Sequence, residues 1–258
     1  MKRLGLLFLL CLLTIAGSAQ TPDSLRVLWI GNSFTFVNDL PKMVQHIASS
    51  KQMKLSCTRA LKGGEQLSGH LKNQTLLDYL SKGGWDYVVI QEQSANPAQP
   101  TRLVAEKVYP YAKELTKLIR EGSPKAHIIF YMTWGHKYGN VENVKDYPLG
   151  DSYEGMQERL KTSYLEMTYD NDAWCAPVGM AWKRVRTERP NCVLYSHDLT
   201  HPSVTGSYLA ANVIFTTIYQ RQYQTDFLSN LSVEDAEYIQ QVAQKTVLDN
   251  LQLLNITR

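Results

Sequence analysis

The chain has 258 residues, with 27 Lys and Arg against 24 Asp and Glu, a formal net charge of +3. That length suits one α/β domain with a full core. A balance this close to neutral leaves no electrostatic footprint for nucleic acid or an anionic membrane surface.

The first residues, Met1-Lys2-Arg3, are basic; an almost unbroken apolar run follows to Ala16, and then small residues, Gly17-Ser18-Ala19. These are the parts of a secretory signal peptide. The apolar run is too short for a permanent bilayer-spanning helix, although a retained anchor is the alternative. Cys11 has no small residue before it, which argues against a lipid-modified cysteine. The expectation is cleavage near Ala19, export to the periplasm or beyond, and one domain over residues 20–258. Loss of residues 1–19 removes Lys2 and Arg3 and no acid, so the remainder is nearly neutral. No later stretch approaches 18 consecutive apolar residues, so no stable membrane association is expected after cleavage.

Short β-like runs then alternate with amphipathic helices. "LRVLWIG" (25–31) is an apolar, β-branched run ending in glycine, and 39–50 carries Leu40, Met43, Val44, Ile47 and Ala48 at helical spacing. Residues 53–61 read as a second strand, and a short helix near 74–81 precedes a third strand at 85–91. A long helix is predicted over 102–122, bent by Pro110. Residues 126–134 and 173–179 are the fourth and fifth strands. Two helices close the chain, 202–221 and 232–254, the second starting with a capping-box-like Ser232 and Asp235. Near-continuous apolar strands separated by helices predict a parallel sheet covered on both faces, a three-layer α/β/α sandwich with a five-stranded flavodoxin-like sheet. The segment 135–153, rich in Gly, Asn, Asp and Tyr, follows the fourth strand. It is either a substrate lip at the carboxyl edge of the sheet or a plain surface insertion.

Beyond the leader the cysteines are Cys57, Cys175 and Cys192. In an oxidising compartment an odd count permits one disulfide, and Cys175–Cys192 is the favoured pair because the two flank one strand–helix unit. Buried thiols are an equal alternative, and no C-x-x-C spacing of a zinc site occurs.

Four short stretches could carry chemistry. Ser33 lies where the first strand passes into loop and helix, behind Gly31 and Asn32; it is either a nucleophile at the sheet edge or a turn residue. In "HDLTHPSVTGSYLAA" (197–211), Asp198 and His201 are three apart, ahead of a helix expected to begin at Pro202. A serine needs a base, and the base an orienting carboxylate, which this pair supplies. Alternatively His197, Asp198 and His201 are metal ligands, or Asp198 caps the helix. In "KGGEQL" (62–67) a glycine N–H could point into a cavity, or the glycines are simply flexible. In "IQEQSANP" (90–97), Gln91 or Gln93 could donate an amide N–H to an oxyanion, or the polar run merely ends a strand.

The order of these blocks resembles the SGNH, or GDSL, hydrolases. "DLTHPSVTGSYLAA" looks like that family's Asp-x-x-His-Pro followed by a glycine and a helix. "GNS" looks like its Gly-Asp-Ser, with Asn32 standing where the family has Asp. The family's Gly-x-Asn-Asp is absent; "QEQS" stands there, similar to the glutamine motif of sialic-acid-type acetylesterases. The resemblance implies Ser33 as nucleophile, His201 as general base and Asp198 as orienting acid. It implies an oxyanion hole of the Ser33 and Gly64 N–H groups with Gln91, Gln93 being the next candidate. It requires no metal or organic cofactor. No G-x-S-x-G elbow occurs, which argues against the lipase-type α/β-hydrolase plan. Trp134, with Tyr138, Tyr147 and Tyr153, is placed near the mouth, where rings could stack on sugar faces, although most aromatics pack in cores. The expected substrate is a small ester or an acylated glycan, carrying an O-acetyl group or a uronate methyl ester. A non-catalytic glycan-binding protein on the same fold is the alternative.

Overall fold

The computed structural model describes residues 24–140 and 150–256. The leader expected over 1–19 and Tyr147 lie outside the described residues. The elements run β1 (Leu25–Gly31), α1 (Ser33–Phe36), α2 (Leu40–Ser50), β2 (Leu55–Leu61), α3 (Leu67–His70), α4 (Gln74–Lys82), β3 (Tyr87–Ile90), α5 (Thr101–Lys107), α6 (Tyr109–Gly122) and β4 (His127–Tyr131). They continue with α7 (Tyr153–Asp170), β5 (Trp174–Ala176), α8 (Val178–Glu188), α9 (Val204–Tyr219) and α10 (Val233–Leu248).

The five strands pair in the order β2-β1-β3-β4-β5, every pair parallel. Val27 to Ile30, Val88 to Ile90 and Ile128 to Tyr131 are buried on both faces, as a doubly covered parallel sheet requires. α2, α8, α9 and α10 pack together in one layer, and α3 to α7 in the other. The three-layer α/β/α sandwich is therefore as expected. Among the described residues no helix is long and apolar enough to cross a membrane.

Several local details differ from the expectation. The helix over 102–122 is divided, with Val108 at φ −123° between α5 and α6. Pro110 sits in the first turn of α6, where its missing N–H has no helical partner to lose. α9 begins at Val204 with Ser203 as its cap, so Pro202 stands outside it and pairs instead with Tyr195. Cys57, Cys175 and Cys192 are free thiols, so the favoured Cys175–Cys192 disulfide is not formed. The Cys175 thiol rests against Thr168 of α7, whereas Cys192 lies beside Asp235 of α10, in the opposite layer.

Candidate active site

β1 ends at Gly31, and the chain turns at once into α1. The room for that turn is set by Gln91, because a Cβ on Gly31 would come within 2.7 Å of Gln91 Oε1 and 2.8 Å of Thr35 Oγ1. Asn32 caps α1, its Oδ1 accepting the Phe34 N–H at 3.1 Å, which makes Ser33 the first helical residue. The same side chain donates from Nδ2 to the Glu65 carbonyl at 3.0 Å. An aspartate here could cap Phe34 but could not donate to that carbonyl. Asn32 thus ties the serine turn to the glycine loop, which gives its departure from Gly-Asp-Ser a physical role.

From the other end of the chain, residues 196–203 form a tight loop before α9. Leu199 adopts a left-handed backbone at φ 63°, a conformation costing a non-glycine residue roughly 1–2 kcal/mol. In this turn Asp198 Oδ1 accepts from Thr200 N–H at 3.0 Å, His201 N–H at 2.9 Å and the Ser196 hydroxyl at 2.7 Å. Asp198 Oδ2 lies 2.5 Å from His201 Nδ1, and His201 Nε2 lies 2.8 Å from Ser33 Oγ. A continuous hydrogen-bond chain thus joins Ser33, His201 and Asp198. Burial would raise the Asp198 carboxyl, but the N–H and hydroxyl groups of Thr200, Ser196 and His201 outweigh it and hold it well below the usual carboxylate range. Asp198 therefore orients an imidazole and caps no helix. Among the described residues no group of three His, Cys, Asp or Glu side chains is arranged to hold a metal ion.

These residues open on a cavity of about 560 Å³ lined by Asn32, Ser33, Gly64, Gln93, Ser94, His136, Tyr138, Asp198 and His201 among others. Gly64 has φ +66°, with open space where a Cβ would stand. Neither the Ser33 nor the Gly64 N–H donates to a protein acceptor among the described residues.

The two glutamines exchange places relative to the expectation. Gln91 is fully buried behind the turn and is absent from the cavity wall. Its Oε1 accepts the Asn32 N–H at 3.0 Å and the Thr35 hydroxyl at 2.9 Å, and its amide nitrogen donates to the Glu92 carbonyl. With both ends engaged it is a scaffold for the serine turn. Gln93 lines the cavity; its Oε1 is pinned by the Ala95 and Asn96 N–H groups at 2.9 and 3.2 Å. Its NH₂ has no hydrogen-bond partner among the described residues.

Trp134 also departs from its expected place. It is fully buried, stacked between Phe34 and Trp182 with centroids 4.8 and 3.9 Å away, and its Nε1 donates to the Thr200 carbonyl. It braces the site from behind and does not line it. Tyr153 is buried under the Arg186 guanidinium, whereas Tyr138 is 62% exposed at the cavity rim.

Three relevant residues were not singled out from the sequence. Ser94 and His136 face the cavity, joined at 3.1 Å between Oγ and Nε2. Glu92 is buried beneath it, accepting N–H groups from Gln93 at 2.5 Å and Leu67 at 3.2 Å and the Asn96 amide at 3.3 Å. It thereby links the loops that carry Gly64 and Gln93. Burial pushes its carboxyl up to about 7, against the lowering effect of those hydrogen bonds. A carboxylate next to a polar strand end was the only signal for it.

A parallel sandwich that presents a serine after its first strand to a histidine and carboxylate ahead of its penultimate long helix has the architecture of the SGNH/GDSL hydrolases. No protein-family model matches the chain, and no curated protein does. Solved structures do. A Slackia heliotrinireducens protein described as an SGNH hydrolase is 29% identical, with TM-score 0.62, over 76% of this chain and 100% of its own. A DUF4886 family protein from Bacteroides uniformis is 18% identical, with TM-score 0.71, over 88% and 95%. An acetylxylan esterase from Geobacillus stearothermophilus is 16% identical, with TM-score 0.51, over 76% and 94%. The last two carry the fold alone. The structural neighbours thus include SGNH/GDSL hydrolases and esterases, which supports a hydrolase at the coarse level.

Proposed function

We propose that the chain is an exported serine esterase that removes O-acetyl groups from carbohydrate through Ser33, His201 and Asp198. The single observation that carries the chemistry is the Ser33 Oγ–His201 Nε2 contact at 2.8 Å, continued at 2.5 Å from Nδ1 to Asp198. Asp198, ionised throughout the neutral range, fixes the ring with Nδ1–H facing it and Nε2 free to accept. His201 takes the Ser33 proton as Oγ attacks the ester carbonyl, and then returns it to the departing alcohol. Water, deprotonated by the same nitrogen, releases the acid from the acyl enzyme and restores Ser33. The oxyanion would lie against the Ser33 and Gly64 N–H groups and the Gln93 amide, all at the cavity wall.

Two features favour a small acyl group on a polar alcohol. The wall carries Asn32, Gln93, Ser94, His136, Asn140 and Thr200 side chains around the serine, and a neighbouring fold belongs to an acetylxylan esterase. Export is read from the leader-like residues 1–19. The test is Ser33→Ala: hydrolysis of p-nitrophenyl acetate and labelling by a fluorophosphonate should both vanish while thermal unfolding stays cooperative. Retained hydrolysis would sink the assignment, and a wild-type chain that neither labels nor hydrolyses would be a binder on this fold.

A further inference from the structure

The Ser94–His136 pair faces the cavity yet has no part in acyl transfer. Ser94 is buried, and its hydroxyl meets His136 Nε2 at 3.1 Å. The backbone N–H of His136 points to the Met156 sulfur at 3.2 Å, and one side of its ring stands 6.4 Å, centroid to centroid, from the Phe34 ring. Nδ1 has no partner among the described residues, and His136 is partly exposed in the cavity wall.

Burial, with the nearby His201, lowers the His136 ring to about 4, so near neutral pH it is an uncharged imidazole. Such a ring donates from one nitrogen and accepts at the other, and the serine hydroxyl behind it can follow either tautomer. That is the complement of an alcohol O–H, which also both donates and accepts. The cation on this wall, Lys137, stands over the Tyr138 ring at 5.7 Å, so the hydroxyl-matching group beside Ser94 is His136.

We propose that His136, oriented by Ser94, is a specificity-determining residue that hydrogen-bonds a free hydroxyl on the alcohol part of the ester. The favoured substrates are then acetates of polyols, such as sugars, that bear a hydroxyl beside the esterified one. This rests on the reading of Ser33 as nucleophile.

The test compares kcat/KM for a monoacetylated methyl pentoside, its analogue deoxygenated beside the ester, and p-nitrophenyl acetate. Wild type should prefer the hydroxylated sugar to the deoxy analogue by about tenfold, the size of one well-formed hydrogen bond. His136→Phe should erase that preference, chiefly through KM, and Ser94→Ala should reduce it by about threefold. Equal use of the two sugars by wild type, an unchanged preference in His136→Phe, or cleavage of p-nitrophenyl acetate but neither sugar each overturns the inference. The two-sugar comparison on wild type decides even where a variant fails to fold. Absence of fluorophosphonate labelling in wild type instead overturns the nucleophile assignment beneath it.

Discussion

The indole N–H of Trp134 donates to the carbonyl of Thr200 at 3.1 Å, and Thr200 is the residue before His201. One face of the same indole lies 4.8 Å from the Phe34 ring, at an interplanar angle of 6°, and Phe34 is the residue after Ser33. A fully buried side chain therefore spans the two segments that must meet for Ser33 and His201 to touch. Trp182 backs its other face at 3.9 Å.

Trp134→Phe keeps an aromatic in the stack and leaves the Thr200 carbonyl without its donor. The stability cost should be about 1 kcal/mol, with kcat reduced several-fold because the loop carrying His201 loses an anchor. Trp134→Ala should cost about 3–5 kcal/mol through the cavity it leaves. Thermal unfolding measured beside kcat separates the two effects. Full activity in Trp134→Phe would reduce the indole to packing alone.

Asp198→Asn exchanges an acceptor for an amide that can donate toward His201 Nδ1, which favours the ring tautomer with a proton on Nε2. In that tautomer His201 cannot accept from Ser33. A fall in kcat on the order of 10³–10⁴-fold is expected, by analogy with other Ser-His-Asp sites. Folding should change little, because Asp198 sits in an exposed turn. Because the carboxyl is held well down, Asp198 should add no inflection to the pH–rate profile above pH 4. A modest loss of activity would mean that the ring is oriented by something else.

Much of this arrangement was legible in the residues, for local reasons. β1 is an apolar run with a glycine at its end, and the Asp198–His201 spacing sits in a turn. Both signals survive without knowledge of the partner, although the contact between Ser33 and His201 joins positions 168 apart. α7 and α8 were not assigned. The inward face of α7 includes Gln157, Ser163, Tyr164 and Thr168, so burial there does not follow the apolar pattern that marks an amphipathic helix. The choice between Gln91 and Gln93 turns on which face of the strand end each side chain takes. That follows from β3 ending at Ile90, three residues before Gln93, which composition does not disclose. Trp134 read as a mouth residue because an aromatic at a strand end looks the same whether it faces cavity or core.

The glutamines can be told apart by two different losses. Gln93→Ala should lower kcat by about 10²–10³-fold if its amide meets the oxyanion, with Tm almost unmoved. Gln91→Ala strips acceptors from the buried Asn32 N–H and Thr35 hydroxyl, each worth about 1–3 kcal/mol when left unsatisfied. Its signature should be a lower Tm. The reverse pattern would return Gln91 to the oxyanion hole.

Glu92 should make stability depend on pH in a direction opposite to that of a salt-bridged acid. Its carboxyl is raised by burial from an ordinary 4.5 to about 7 in the folded chain. Between those values the native state holds a proton that the unfolded chain has released, so stability falls as pH rises through that window. The group's contribution is complete below about pH 4.5 and lost above about pH 7, and amounts to on the order of 3 kcal/mol. Urea midpoints of wild type and Glu92→Gln, taken from pH 4.5 to 8, should diverge in slope, the variant lacking this component. Because the carboxylate holds the Leu67 and Gln93 N–H groups, the same variant should loosen the loops bearing Gly64 and Gln93 and lower kcat more than KM changes. Parallel midpoint curves for the two chains would show that Glu92 titrates as an ordinary exposed acid.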